Sequence, residues 1–418
     1  MTTAATLTDA RTFEEKLDLF AQVAVNVGLG LKPGQELVMT AGLETLPLAR
    51  RITEQAYKAG ASLVTTLLTD DEMTLARYDH ATTESFDHAA KWLYDGMAAA
   101  YASGAARLAI AGGNPELLSK QDPDKVGRAN RAVSQAYLPA LELITRHAIN
   151  WTIVAAATPA WAASVFPGEA PDAALAKLWE AIFKASRVDG ADPVKAWKEH
   201  DANLHTHAAR LNEKRYSALR YRGPGTNLEL GLADDHLWLG GGGTAKNGYY
   251  CVPNIPTEEV FSMPHKDRAD GVVTATKPLS HLGTMIEGIQ VRFEKGRIVE
   301  AKATRGQEVL QKLIDTDAGA RHLGEVALVP HSSPIASSGL IFSNTLFDEN
   351  AASHIAMGQA YISCMKDGDK LTDEEQVAKG LNQSLIHVDW MIGSSELDID
   401  GVTATGTAEP LMRGGEWV

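Results

Sequence analysis

Cysteine is scarce in this sequence of 418 residues, with Cys251 and Cys364 far apart and no CxxC motif. Two isolated cysteines build neither a disulfide framework nor a zinc site with thiolate ligands. Long hydrophobic runs are also missing. The most apolar stretch, NWTIVAAATPAWAASVF, is interrupted by Pro159 and begins with polar residues, so it is too short for a transmembrane helix. The sequence therefore predicts a protein without disulfides or membrane spans.

Basic residues are outnumbered by acidic ones, 39 to 53, which gives a net charge of -14, and no cluster of lysines and arginines occurs. Such a chain repels phosphate backbones and anionic lipid heads, so neither nucleic acid nor a membrane surface is an expected partner. The N-terminal stretch MTTAATLTDARTFEEKL is polar and charged, whereas a secretory signal requires an apolar run. We therefore expect a cytoplasmic protein.

The length of the chain favours two domains. In the first half, a strand (ELVMTAG), an amphipathic helix (TLPLARRITEQAYKAGA) and a second strand (SLVTTLL) follow one another. Further segments continue the alternation, with strands predicted over 107–111 and 150–157 and helices over 124–147, 172–188 and 194–213. The pattern predicts an N-terminal doubly wound α/β domain over residues 1–215.

The second half has a different character from YRGPGTNLELGL onwards. Short segments alternate between apolar and polar residues, as in IQVRFEKGRIVEAKA, where Lys295-Gly296 is typical of a two-residue hairpin turn. The pattern predicts a β-rich α+β domain over residues 216–418. Two glycine-rich stretches, VGLGLKPG and LGGGGTAKNG, lack the third glycine of a dinucleotide fingerprint and the GK[ST] ending of a P-loop, so we interpret both as loops.

A histidine and an aspartate interrupt the apolar run IHVDWMIGS near the C-terminus. The β-branched and aromatic residues of this run predict a strand, in which His387 and Asp389 would point to the same face. Burying the two together is costly unless they are paired or bound to a cation. A structural His–Asp hydrogen bond is the alternative to a metal site.

Other polar residues of the second half are equally unusual. In NIPTEEVF, Glu258 and Glu259 would face opposite sides of a strand, so one of them could enter the interior, or both could lie in an exposed turn. Glu325 begins the apolar run in HLGEVALVP, where a solvated strand edge is the alternative. The stretch TLFDENAASHIAMGQAYIS predicts a helix, in which His354 and Tyr361, seven residues apart, share a face.

Taken together, these side chains suggest metal binding in the second half. Two glutamates, two histidines, an aspartate and a tyrosine offer nitrogen and oxygen atoms that suit hard or borderline divalent cations. The number of donors exceeds what one tetrahedral zinc needs. It would suit two ions about 3.5–4 Å apart that share a carboxylate, as in hydrolytic two-metal sites.

The stretches NIPTEEVF, LGEVALV, NTLFDENAASHIAMGQAY and HVDWMIG, in this order and spacing, closely resemble the M29 family of metallopeptidases, the thermophilic-type aminopeptidases. The similarity extends over the whole chain and is densest from Tyr250 to Gly393. It implies a cytoplasmic, homodimeric, two-domain exopeptidase with two divalent metal ions in the C-terminal domain. The implied ligands are Glu259, Glu325, His354, His387 and Asp389, with Tyr361 beside the metals, and Glu258 is the alternative to Glu259.

The resemblance implies an aminopeptidase that acts on peptides with a free N-terminus by attack of metal-activated water on the scissile carbonyl. We expect Glu325 to be the general base and Tyr361 to donate a hydrogen bond to the developing oxyanion. Another dinuclear amidohydrolase or phosphoesterase, or a non-catalytic peptide-binding protein, would use similar residues. The sequence does not choose between zinc, cobalt, manganese and magnesium.

Overall fold

A computed structural model describes residues 11–281 and 284–418. The first ten residues of the polar N-terminal stretch lie outside the described residues. The chain divides into two compact units. The first unit runs to His200 and includes Gly242–Ile255, and the second unit consists of Asp201–Gly241 and Pro256–Val418. Within the described ranges, we find no helix with the length and apolar character needed to span a membrane.

The first unit contains a parallel sheet with the strand order β2-β1-β3-β4. These strands, numbered along the chain, are Glu36–Gly42, Leu63–Thr69, Ala106–Ala111 and Trp151–Ala155. The α-helices that accompany them, α1 to α7, are Phe13–Val23, Leu46–Lys58, Asp71–His80, Lys91–Ala102, Pro123–Thr145, Pro159–Val165 and Pro171–Ala185. The strand order changes direction at β1, as in doubly wound folds. The alternation predicted from the sequence is therefore confirmed.

The division between the units differs from the expected boundary near Arg215. Helix α8, Pro193–Lys214, crosses it, because Leu204, Ala208 and Leu211 belong to the hydrophobic core of the second unit. The segment Gly242–Ile255 belongs to the first unit. An amphipathic pattern shows that a helix buries one face, but it does not show which core the helix covers.

The inserted segment Gly242–Ile255 runs along the outer edge of β4. The amide of Ile255 donates to the carbonyl of Ile153 at 3.0 Å, and the amide of Ile153 donates to the carbonyl of Pro253 at 2.7 Å. The hydroxyl of Thr152 donates to the carbonyl of Val252 at 2.8 Å. An open sheet edge leaves backbone groups without partners, and this segment supplies partners for the edge strand β4.

The second unit is built on antiparallel sheets. The larger sheet has the order β15-β14-β11-β6-β5-β19-β20-β21, and the smaller sheet has the order β18-β17-β16-β10-β7. Strands β5 to β12 are Ala218–Gly223, Thr226–Leu232, Leu239–Gly240, Gly243–Thr244, Tyr250–Cys251, Val260–Ser262, Pro264–Thr274 and Leu279–His281. Strands β13 to β21 are Thr284–Ile286, Gln290–Glu294, Arg297–Lys302, Leu323–Leu328, His354–Gly358, His387–Met391, Asp398–Val402, Ala408–Arg413 and Glu416–Trp417. Strands β8 and β9 belong to the inserted segment of the first unit.

Short helices connect these strands. Helices α9 to α12 are Gln307–Ile314, Pro334–Ser338, Thr345–Asp348 and Asp373–Ala378. The predicted hairpin turn between β14 and β15 is confirmed, with positive φ angles of 48° at Lys295 and 77° at Gly296. Only glycine fits the second position, because a Cβ there would lie 1.9 Å from the carbonyl oxygen of Lys266. The second unit is thus the β-rich half that the sequence predicts.

Candidate metal centre

The smaller sheet presents a row of functional side chains on one face. In its register Glu325 of β16 lies opposite Ala356 of β17, and Ala356 lies opposite Asp389 of β18. His354 and His387 precede Ala356 and Asp389 by two residues in the same strands, so they point to the same face. The small side chain of Ala356 separates the two carboxylates and leaves room between them. Glu259 enters from the residue immediately before β10.

The predicted helix over TLFDENAASHIAMGQAYIS is wrong. Helix α11 ends at Asp348, a 3₁₀ turn follows, and His354–Gly358 is strand β17, buried along its whole length. Small and apolar residues without polar alternation suit a central strand covered on both faces, and this segment pairs with both β16 and β18. His354 and Tyr361 therefore approach one site from a strand and the loop after it, not from a shared helix face.

The nitrogen and carboxylate atoms of the row converge within hydrogen-bonding or metal-binding range. His354 Nε2 lies 3.2 Å from Glu259 Oε2, 3.7 Å from Glu325 Oε1 and 4.0 Å from Asp389 Oδ1. His387 Nε2 lies 3.5 Å from Glu325 Oε2 and 3.4 Å from Asp389 Oδ1. The result is two groups of possible ligands, Glu259–Glu325–His354 and Glu325–His387–Asp389, which share Glu325.

The Nδ1 atoms of both histidines form hydrogen bonds with backbone carbonyl groups. His354 Nδ1–H donates to the carbonyl of Ala352 at 3.1 Å, and His387 Nδ1–H donates to the carbonyl of Gln359 at 2.7 Å. In the neutral imidazole, these bonds leave Nε2 as the nitrogen with a lone pair, directed toward the carboxylates. Metal-binding histidines are commonly oriented in this way.

Burial and the mutual proximity of these side chains shift the pKa values of the cluster. Burial raises the pKa of Glu325, and Asp389 and Glu259 raise it further. Burial lowers the pKa of His387, but Asp389 and Glu325 outweigh it and raise this pKa to about 9. The buried oxygens Glu259 Oε2 and Asp389 Oδ1 accept no well-aligned hydrogen bond, although histidine nitrogens lie 3.2 and 3.4 Å away. A cation bound between these side chains would favour ionised carboxylates and neutral histidines, so it would offset both pKa shifts.

Tyr361 flanks the open side of the cluster. Its ring centroid lies 4.8 Å from that of His387, and Phe261 packs against it edge-on. The side chain of His387 is 21% exposed whereas that of His354 is 1% exposed, so the cluster opens toward Tyr361. Burial and the nearby carboxylates, Glu325 first among them, raise the pKa of the Tyr361 hydroxyl. This hydroxyl therefore keeps its proton and can donate it in a hydrogen bond.

Glu349 is a site residue that sequence reasoning missed. Burial raises its pKa well above the ordinary value, and the charges of Glu259 and Asp389 raise it further, so its carboxylate lies close to the cluster. The amide of Asn350 donates to Glu349 Oε1 at 3.4 Å. Glu349 follows Asp348 in an acid-rich stretch of the kind that is typical of a helix N-terminus. No spacing in the sequence distinguishes it from a solvent-exposed acid.

Of the side chains singled out from the sequence, all but that of Glu258 are found at or beside this cluster. Of the two adjacent acids, Glu259 belongs to the ligand group, whereas the backbone amide of Glu258 donates to the side chain of Asn350 at 2.7 Å. Glu325 lies buried within β16 and is not a solvated edge residue. Histidine nitrogens, several carboxylates and unpartnered buried oxygens fit divalent cations of the zinc, cobalt, manganese and magnesium kind.

Comparison with known proteins gives a consistent answer. Residues 13–417 match the family model described as thermophilic metalloprotease (M29). Aminopeptidase T of Thermus thermophilus is 52% identical over 406 residues, which cover 97% of this chain and 99% of that protein. Aminopeptidase AmpS of Bacillus subtilis is 43% identical over 405 residues, with 97% and 99% covered. The solved structure of wild-type AmpT from Thermus thermophilus matches with a TM-score of 0.93 at 51% identity, covering 97% of this chain and 100% of that chain.

Proposed function

The chain belongs to the M29 family of thermophilic metalloproteases, and from that premise we propose that it is a metal-dependent aminopeptidase. Its substrates are peptides with a free N-terminus, from which it releases the terminal amino acid. The observation that carries this proposal is the pair of ligand groups that share Glu325. A shared carboxylate between two such groups suits a hydrolytic site with two metal ions better than a single tetrahedral zinc.

We assign one ion to Glu259 and His354 and the other to His387 and Asp389, with Glu325 contributing to both. The carboxylates of Glu259, Glu325, Glu349 and Asp389 each carry one negative charge when ionised. Two divalent cations would balance them, and one would not. When bound, such ions lower the pKa of a water molecule toward neutrality and polarise the scissile carbonyl.

The chain must also move a proton from the attacking water to the leaving amine. Glu325 faces both histidines, so we assign it to holding the ions together. Glu349 forms an ion pair with neither histidine ring, and burial raises its pKa. We therefore propose Glu349 as the general base that accepts the proton of the water and returns it to the leaving amine, with the sequence-based choice of Glu325 as the alternative.

Tyr361 is placed to recognise the charge that appears during the reaction. It lies on the open side of the cluster, beside His387, and its hydroxyl keeps its proton. We propose that this hydroxyl donates a hydrogen bond to the oxyanion that develops when water attacks the carbonyl. A single donor of this type is worth about 2.7–4 kcal/mol in comparable sites.

The family resemblance also supports a cytoplasmic homodimer whose catalytic residues lie in the second unit. Sedimentation analysis would test the dimer directly. Among the described residues, the ion pairs of Glu259, Glu325 and Asp389 are formed with histidines and not with lysine or arginine. Phosphoryl transfer usually recruits such cations, so this observation favours peptides over phosphate esters as substrates.

The test is an assay of metal-stripped protein that is resupplied separately with zinc, cobalt, manganese or magnesium. Three substrates are compared: a free tripeptide, the same tripeptide with an acetylated N-terminus, and a phosphate monoester. We expect hydrolysis of the free tripeptide alone, only after an ion is restored, and two ions bound per chain. Full activity in demonstrably metal-free protein, or rapid cleavage of the acetylated peptide, would contradict the proposal.

A further inference from the structure

The two histidines of the centre are supported in different ways. His354 donates to the carbonyl of Ala352, two residues earlier in its own chain segment, and its side chain is almost wholly buried. His387 lies on the open side and donates to the carbonyl of Gln359, 28 residues away in sequence. The orientation of His387 therefore depends on how a distant segment is held.

Gln359 is tied to the residues that lead into β18. Its backbone amide donates to the carbonyl of Ile386 at 2.7 Å, and its side-chain oxygen accepts a hydrogen bond from the amide of Ser384 at 2.9 Å. The stretch from Ser384 to Ile386 and the carbonyl that receives the His387 proton thus form one connected unit. A shift of either would turn the imidazole.

Asp317 anchors this stretch from the other side. Its Oδ2 accepts a hydrogen bond from the amide of Leu385 at 2.6 Å, and its Oδ1 accepts one from the hydroxyl of Ser384 at 2.9 Å. The same Oδ1 accepts a hydrogen bond from the amide of Ala320 at 2.8 Å, which fixes the carboxylate on its own loop. One carboxylate therefore holds two consecutive residues that lie two and three positions before His387.

Close backbone packing leaves little room for this unit to adjust. A Cβ at Gly324 would lie 2.3 Å from both the carbonyl oxygens of Gln359 and Gly358. A Cβ at Gly358, where φ is 100°, would lie 2.1 Å from the carbonyl oxygen of Ile386. Gly324 immediately precedes Glu325, so the backbone next to the shared carboxylate packs against the carbonyl that orients His387.

We propose that Asp317 is a positioning residue for His387, acting through Ser384 and Leu385 on the segment that fixes the imidazole. It sets the affinity of the ion held by His387 and Asp389 and leaves the ion held by Glu259 and His354 unaffected. The inference rests on the proposed two-ion site. It adds a dependence of one ion on a carboxylate that is not a ligand.

The test is titration of metal-stripped Asp317→Ala and Asp317→Asn proteins with zinc by calorimetry, beside measurement of the melting temperature without metal. We expect Asp317→Ala to weaken one of two binding events by about 10–100-fold and to leave the other unchanged, the range seen when a partner of a metal ligand is removed. Asp317→Asn keeps one acceptor oxygen and should show a smaller loss.

Asp270 offers a matched control. Its carboxylate also accepts a backbone hydrogen bond from a turn, that of Lys295 at 2.9 Å, but it lies in β11 of the larger sheet. Asp270→Ala should leave both zinc affinities unchanged.

A lower melting temperature for Asp317→Ala with both zinc affinities unchanged would overturn the proposal, because the carboxylate would then only anchor a loop. If Asp317→Ala does not fold, Ser384→Ala removes the hydroxyl contact with Asp317, together with the hydrogen bond that this hydroxyl accepts from the amide of Ile386 at 3.2 Å, and decides by the same titration. Wild-type protein that binds fewer than two zinc ions would instead contradict the proposed two-ion site. That result is distinguishable because it needs no variant.

Discussion

The two units of the chain bury polar side chains in contrasting ways. In the first unit, the side-chain amide of Gln35 donates a hydrogen bond to Asn150 Oδ1 at 2.7 Å. The side-chain amide of Asn150 donates in turn to the carbonyl of Leu29 at 2.9 Å. The buried Lys16 pairs with Glu180 at 2.8 Å. These groups satisfy the requirement that buried polar atoms find partners, and they need nothing from outside the protein.

In the second unit the pairing is incomplete. Glu259 Oε2 and Asp389 Oδ1 are buried without a hydrogen bond, whereas no carboxylate oxygen of the first unit is in this condition over residues 11–200 and 242–255. A buried carboxylate oxygen that accepts no hydrogen bond costs free energy, and natural folds rarely keep such an oxygen without a function. The contrast teaches that buried carboxylate oxygens without a hydrogen bond, more than buried polar groups as such, mark the site that binds a ligand, because hydroxyl groups without a partner, such as those of Tyr101 and Tyr221, occur in both units.

Removal of a ligand should have the largest effect. We expect His387→Ala and Asp389→Ala to lose bound metal and to reduce peptide hydrolysis to the background of metal-free protein. In the metal-free state Asp389→Ala should lower the melting temperature only modestly, because His387 loses one carboxylate partner but keeps Glu325. Metal analysis, peptide assay and calorimetric melting check this. A large loss of stability in metal-free Asp389→Ala would place this residue with the structural pairs of the first unit.

Glu349→Gln should come next, because it separates a proton carrier from a ligand. The amide keeps the shape of the side chain but cannot accept a proton, so kcat should fall by about 10²–10⁴-fold while two ions remain bound. The matched variant Glu325→Gln should lose metal as well as activity. If Glu349→Gln lowers metal content and leaves the kcat of the loaded fraction unchanged, Glu349 is a ligand and the base must be sought elsewhere.

The same contrast explains how far sequence reasoning reached. The strands and helices of the first unit follow from regular alternation, since each element buries one face against a single core. The pairing of His387 with Asp389 was also predictable, because side chains two residues apart in a strand share a face. The chemistry of the site could be predicted where a local repeat places two polar groups together.

The rest of the site depends on contacts between distant segments. His354–Gly358 has the small-residue composition of a helix, and its strand conformation follows from lying between β16 and β18. Glu349 and Asp317 have no local signature, because their partners lie far along the chain. The division at His200 likewise follows from which core receives the second half of α8.

Tyr361→Phe tests the open side of the centre with a smaller change. The ring stays and only the hydroxyl is lost, so metal content should not change. If the hydroxyl stabilises charge that exists only in the transition state, kcat and kcat/KM should fall together by about 10²–10³-fold with KM nearly constant. Steady-state kinetics on a free tripeptide provide the measurement, and a kcat close to wild type would show that the ring has a packing role alone.

The smallest effect on activity is expected for Asn150→Ala in the first unit. The substitution leaves the amide of Gln35 and the carbonyl of Leu29 without their buried partner, which should lower the free energy of unfolding by about 1–3 kcal/mol. Asn130→Ala, at an exposed position of α5, is the matched control and should be nearly neutral. Chemical denaturation measures the loss, while kcat and metal content should equal those of wild type, because the completed polar pairs of this unit serve stability only. A fall in kcat with unchanged stability would break the contrast between the two units.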